Sequence, residues 1–183
     1  VTNKGAESSN VLSEVCGGDQ YSRPDSDVSS GFWVDTTGGD SDGNLYDEID
    51  EENRSDLDFV SSGDLSLNSP DVMEIGLSDL GDPRSSSDHD VTYSFRKSLA
   101  VDTIDLDIRL LEGTKEIAAW SELGIVTAWT ESTQTLTGTQ ADAIENYDDL
   151  RLEFSASCNV CLLSNTADVS WAELKVPRCF GGN

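Results

Sequence analysis

Period two dominates this chain. In TIDLDIRLLEGT, residues 103–114, Ile104, Leu106, Ile108 and Leu110 alternate with Asp105, Asp107 and Arg109. Side chains on a strand alternate between its two faces, so this segment can bury one face only as a strand. Asp105 and Asp107 then share the other face, about 7 Å apart along the strand, with Arg109 next in the row. That spacing matches the separation of the two carboxylates in inverting glycosidases. The row continues as a polar stripe partly neutralised by Arg109, so it reads as the solvent-facing or subunit-facing side of a strand.

The same period recurs in GFWVD, DFVSS, DVMEIGLS, VTYSFRKS, TKEIAAWSE, VTAWTESTQTL, LRLEFSAS and DVSWAELKV, separated by Gly, Pro, Asp and Ser clusters suited to turns. A change of phase between Trp171 and Leu174 predicts a bulge. Helical spacing appears in TGTQADAIENYDDL, with Thr137 or Thr139 as N-cap, and in NLYDEIDEEN. The fold class implied is all-β, a jelly-roll-like sandwich of two antiparallel sheets with about eight or nine strands and one or two short helices.

Residues 1–28 are polar and Ser-rich, with little sustained periodicity, and read as an extended N-terminal arm. Residues 29–178 form the sandwich, and residues 179–183 a short tail. Three anchors for the arm stand open: a disulfide through Cys16, packing on its own domain, or strand addition to a neighbouring subunit.

With 36 acidic and 11 basic residues the net charge is -25, of which residues 1–90 carry the larger part with 22 acids against 4 bases. A nucleic-acid partner would be repelled. No run of eighteen apolar residues occurs, so no membrane-inserted helix is expected. The first residue is Val1, which fits a processed, exported form. Cys16, Cys158, Cys161 and Cys179 allow three disulfide pairings; Cys158–Cys161 with Cys16–Cys179 is the first choice. An oxidising, extracellular setting follows.

RPDSDVSSGFWVD, LYDEIDEENRSDLDFVSS, VMEIGLSDLGDPRSSSDHDVTYSFRKS, the opening strand, and TQTLTGTQADAIENYDDLRLEFSAS with VSWAELKVP together resemble a β-sandwich domain. That domain is found in phage and environmental-virus structural proteins and in bacterial surface proteins. The resemblance spans roughly residues 23–177 and is most specific over 135–154. It implies a virion or surface component and supplies no catalytic residues. Three insertions depart from it: GGDSDGN, CNVCLLSN and the first two dozen residues.

Asp40, Asp42, Asn44 and Glu51 occupy positions 1, 3, 5 and 12 of an EF-hand-like loop, which makes structural calcium a candidate. Leu45 stands where that loop needs glycine, and a plain acidic turn is the competing reading. Zinc at Cys158 and Cys161 would need Cys16 and Cys179 to converge as well. His89, between Asp88 and Asp90, reads as a solvated turn residue, since no serine sits in a nucleophile elbow. Trp33, Trp120 and Trp129 are candidates for a glycan-stacking platform; their strand phase favours the core. Asn53, in NRS, is a glycosylation sequon.

Two functional expectations result. The first is a non-enzymatic subunit, self-assembling with identical copies into a virion surface structure or extracellular filament through its arm. The alternative is a carbohydrate-binding or adhesion module of the same fold.

Overall fold

A computed structural model describes residues 15–36 and 43–180, apart from the side chains of Val15, Cys16, Cys179 and Phe180. Eleven strands are present among the described residues: β1 Val15–Ser22, β2 Pro24–Ser29, β3 Val34–Asp35, β4 Val60–Ser61, β5 Asp71–Leu77 and β6 Asp90–Lys97. β7 Thr103–Glu112, β8 Lys115–Glu122, β9 Thr130–Thr135, β10 Leu150–Val160 and β11 Ala167–Phe180 follow. One sheet has the order β3-β4-β11-β6-β9, with β1 also paired to β11; the other is β2-β5-β10-β7-β8. All pairs are antiparallel.

The alternation read from sequence sets the register. Leu152 stands between Ile75 and Leu110, and Phe154 between Met73 and Ile108, so whole inward rows are apolar. Each of these side chains is fully buried, worth about 1.5–3 kcal/mol apiece relative to exposure. Tyr93 of β6 bridges the sheets: its ring meets Phe154 edge-on at 6.2 Å, and its hydroxyl donates to Glu122 Oε1 at 2.8 Å.

Residues 15–28, read from sequence as part of the arm, lie in two strands of this chain's own sheets, β1 and β2. Gln20 and Tyr21 of β1 pair with Val176 and Lys175 of β11, while Asp27 of β2 pairs with Ile75 of β5. Their polarity concealed them because β2 is an edge strand, exposed along nearly its whole length. Asp27 has a further duty: its carboxylate accepts from the backbone N–H groups of Leu45 and Tyr46 and holds the 3-10 turn Tyr46–Glu48. That turn is all that forms, among the described residues, of the second helical segment.

The first is the helix α1, Gly138–Ala141, closed by a capping box between Thr137 and Gln140. The bulge in β11 lies between Val169 and Trp171, ahead of the phase change that predicts it. Ser170 and Trp171 are consecutive yet both reach the segment before β4: Ser170 Oγ donates to Asp56 and Trp171 Nε1 to the Glu51 carbonyl. Two neighbours on one side of a strand require an extra residue.

Candidate functional site

The candidate residues scatter. Trp33 and Trp171 are buried. Trp120 stands opposite Ile108, packs partly buried on the core from the rim of its sheet, and borders a shallow depression with Asp107, Arg109 and Ser121. The strand face bearing Asp105 and Asp107 is also spoken for: Asp105 accepts from Gly124 N and Asn159 Nδ2, and Asp107 from Ser121 Oγ. Next to them Arg109, Arg151, Glu74 and Glu153 line a shallow depression of about 390 Å³ and pair with one another or with Glu116 and Asp149. No aromatic side chain lines it.

His89 is fully buried, not solvated. Nδ1 lies 2.9 Å from the Ser87 carbonyl, which can only accept, so Nδ1 carries the proton and Nε2 accepts from Tyr147 Oη at 2.8 Å. The ring is neutral, and burial holds its pKa below the usual histidine value. This histidine braces a turn and meets no serine nucleophile.

Of the calcium candidates, Asp40 and Asp42 lie outside the described residues. No group of three or more His, Cys, Asp or Glu side chains converges among the described residues. Glu51 is nevertheless unusual. Its Oε2 is buried without a hydrogen-bond partner, and its pKa is pushed up to about 7, by desolvation first, with Asp58, Asp50 and Glu48 adding repulsion. Asn53 is exposed two residues further on. Cys158 and Cys161 form a disulfide with Cα atoms 5.9 Å apart. The Cys16–Cys179 pairing concerns side chains outside the description, though the backbone places the two residues opposite each other.

Trp129 is different. It precedes β9 rather than lying within it, and it is only partly buried. Alternation along β6 turns Tyr93 and Phe95 inward and Arg96 outward, and Arg96 stands opposite Asp168 in the β6–β11 ladder. Arg96 Nε donates to Asp168 Oδ2 at 2.8 Å. Asp168 is itself 1% exposed and accepts from Ser61 Oγ and Thr166 Oγ1, which fixes its carboxylate. The guanidinium, so anchored, lies 4.4 Å from the Trp129 ring centre and 4.9 Å from that of Phe59. The two rings meet edge-on at 5.6 Å. Each cation–π contact contributes about 0.5–2 kcal/mol, and together they hold an indole ring in one orientation at the surface.

Polar groups frame it. Arg54 grips Asp56 through Nε and Nη2 at 2.8 and 2.7 Å, and its Nη1 reaches Glu131 at 3.4 Å. Those bonds, with Ser170 and Ser94 behind them, hold the Asp56 carboxyl below the usual carboxylate range. Glu131 is two residues beyond Trp129 on β9 and exposed. The surface therefore combines one oriented aromatic ring with planar, bidentate donors and acceptors already fixed in place. Trp129 is a candidate from sequence, whereas Phe59, Arg96 and Asp168 are not, since nothing local relates positions 59, 96, 129 and 168.

No protein-family model matches the sequence, and no curated protein is similar to it. Solved structures of similar architecture include the C-terminal CBM6 of LamC, a marine laminarinase from Zobellia galactanivorans. It is 12% identical, with 87% of this chain and 100% of that one covered, at a TM-score of 0.47. A CBM61 module in complex with β-1,4-galactotriose is 8% identical over 85% of this chain and 86% of that one, TM-score 0.37. A family 16 carbohydrate-binding module is 10% identical over 69% and 79%, TM-score 0.34. At these values the likeness is one of architecture.

The expectation of a self-assembling virion or filament subunit is corrected. The three solved structures named above are carbohydrate-binding modules. The described part of the arm, moreover, pairs with this chain's own β11 and β5.

Proposed function

We propose that the chain is a non-catalytic carbohydrate-binding or adhesion module acting outside the cell. One observation carries the reading: Trp129 is held at the surface by Arg96 and Phe59, among side chains whose hydrogen-bonding groups are already oriented. A sugar ring has an apolar C–H face and a rim of hydroxyls. The first stacks on an aromatic face, and the second suits fixed carboxylates and guanidinium groups. Preorganisation matters because a soft, wet ligand repays little ordering entropy. The Cys158–Cys161 disulfide supports an oxidising compartment. No helix among the described residues is long and apolar enough to cross a membrane.

The test is calorimetric titration with β-1,4-galactotriose, xylopentaose and soluble laminarin, backed by affinity electrophoresis in a panel of neutral polysaccharides. One of these glycans is expected to bind wild type, and Trp129→Ala to weaken it by about tenfold or more, the worth of one stacked aromatic. Trp120→Ala, which removes a ring from the opposite sheet, is expected to retain affinity. Equal affinity of the Trp129→Ala variant and wild type would overturn the assignment.

A further inference from the structure

A second surface stands at the end of the sandwich where β6 runs into β7, β8 into β9 and β10 into β11. Leu99, Leu123, Val126, Val160, Leu162 and Leu163 are all exposed there, Leu123 and Leu162 by 77% and 81%. Scattered exposed leucines are ordinary; a contiguous set on rigid backbone is not.

Hydrogen bonds join the three connections. The Asp105 carboxylate takes Gly124 N at 2.7 Å and Asn159 Nδ2 at 3.1 Å, tying the Leu123 connection to the end of β10. Asp102 accepts from Leu162 N at 3.0 Å and Leu163 N at 3.4 Å. It does so from φ +62°, a left-handed conformation in which a non-glycine residue is strained. Asn165 accepts from Leu99 N and donates to the Val101 carbonyl, and Lys97 N donates to the Val126 carbonyl. The Cys158–Cys161 disulfide closes the segment just before the leucine pair. Such fixing presents the aliphatic side chains ready to be buried.

Acidic side chains predominate around them, Arg96 being engaged by Asp168, Phe59 and Trp129. Asp64, Asp102, Asp105 and Glu122 flank the leucines, and none is buried. The connections 98–102, 123–129 and 161–166 contain no Lys or Arg. The nearest base in sequence, Lys97, is 9% exposed and donates its ammonium to the Asp102 carbonyl at 2.6 Å.

We propose that this end docks a protein partner whose contact surface is aliphatic at its centre and carries Lys or Arg at its rim. Charge complementarity selects that occupant. A second copy would bring the same acidic rim and a net charge of -25 to the contact, and an anionic bilayer would be repelled likewise. Glycan stacking needs aromatic faces, which these connections offer only at Trp129, on the flank beside Arg96.

The test uses defined probes: an amphipathic leucine–lysine peptide, a serine–lysine peptide of equal charge, a leucine–glutamate peptide, and phosphatidylcholine vesicles. Binding to wild type and to a Leu123→Asn/Leu162→Asn variant is followed by fluorescence anisotropy, with Tm as the folding control. Sedimentation reports self-association. The leucine–lysine peptide is expected to bind wild type and to lose about tenfold or more in the variant, with Tm unchanged because both side chains are exposed. Equal binding of the serine–lysine peptide, unchanged binding by the variant, or a leucine-dependent dimer or vesicle complex in place of peptide binding would each overturn the proposal.

Discussion

Glu51→Gln should stabilise this protein at alkaline pH and leave it nearly unchanged in mild acid. The carboxyl of Glu51 is held up to about 7 against an ordinary 4.5, by desolvation first and then by Asp58, Asp50 and Glu48. Between those values the unfolded chain is ionised there while the folded chain keeps its proton. Stability tied to this group is therefore fully present below pH 4.5 and lost as pH rises through 7. The shift of about 2.5 units corresponds to about 3.4 kcal/mol at most. Because the residue is only half-buried, solvent screening reduces this to about 1–2 kcal/mol. Glutamine has nearly the same shape and no charge to lose. Thermal unfolding of both proteins at pH 5 and pH 8.5 should give a variant-minus-wild-type difference near zero at the lower pH. At the higher pH the gain should be about 2–8 °C, from the usual 2–4 °C per kcal/mol at this chain length. The difference isolates Glu51 from His89 and the other titrating groups. A variant equally stable to wild type at pH 8.5, or stabilised equally at both values, would refute the reasoning. Calcium supplies a second arm. A cation held by Asp40, Asp42, Asn44 and Glu51, as the loop spacing predicts, would neutralise the same carboxylate. It would raise the wild-type Tm at pH 8.5 by about 5–10 °C at a hundredfold excess over Kd, and the variant's far less. Identical Tm values in calcium and in chelator would remove the metal.

Asp168→Ala should cost about 2–3 kcal/mol, because it strips three hydrogen bonds, one of them charged, from a buried site. It should also weaken whatever glycan Trp129 holds, since Arg96 loses its anchor; an effect below about 0.5 kcal/mol in urea unfolding would show that Asp168 holds nothing. For Cys16 and Cys179, opposed positions in an antiparallel ladder have Cα atoms about 4.5–5.5 Å apart, within disulfide range. A peptide map without reductant should recover the two segments linked, and recovery of both as free thiols would exclude the bond.

The sandwich was legible wherever one face of a strand is wet. β7 and β10 alternate over most of their length because each has a buried and a wetter side, and β5 and β6 do so over part of theirs. β1 and β2 escaped because edge strands need supply backbone pairing without apolar content, and Pro24 and the Ser-rich run read as coil. His89 escaped for a related reason. A polar residue between two aspartates looks solvated, and the partner that satisfies its Nε2 in the interior, Tyr147, lies 58 positions on.

The candidate site was legible as residue types and not as a constellation. Trp129 is a large apolar residue in a stretch that reads as strand, so sequence assigns it to the core along with Trp33. β9 starts at Thr130 opposite the inward-facing Phe95, so Trp129 falls in the phase of the exposed Glu131, Thr133 and Thr135. That start puts the indole beside Arg96, and Arg96 is aimed by Asp168, whose own burial depends on Ser61 and Thr166. Four segments must close before the ring has an orientation, so stacking at Trp129 is a property of the assembled sheet. It follows that variants of Asp168 and of Arg96 should lower glycan affinity together and non-additively, each removing the support the other needs. Two independent contributions that simply add would mean that Arg96 meets the ligand directly and that the Asp168 pair is only structural.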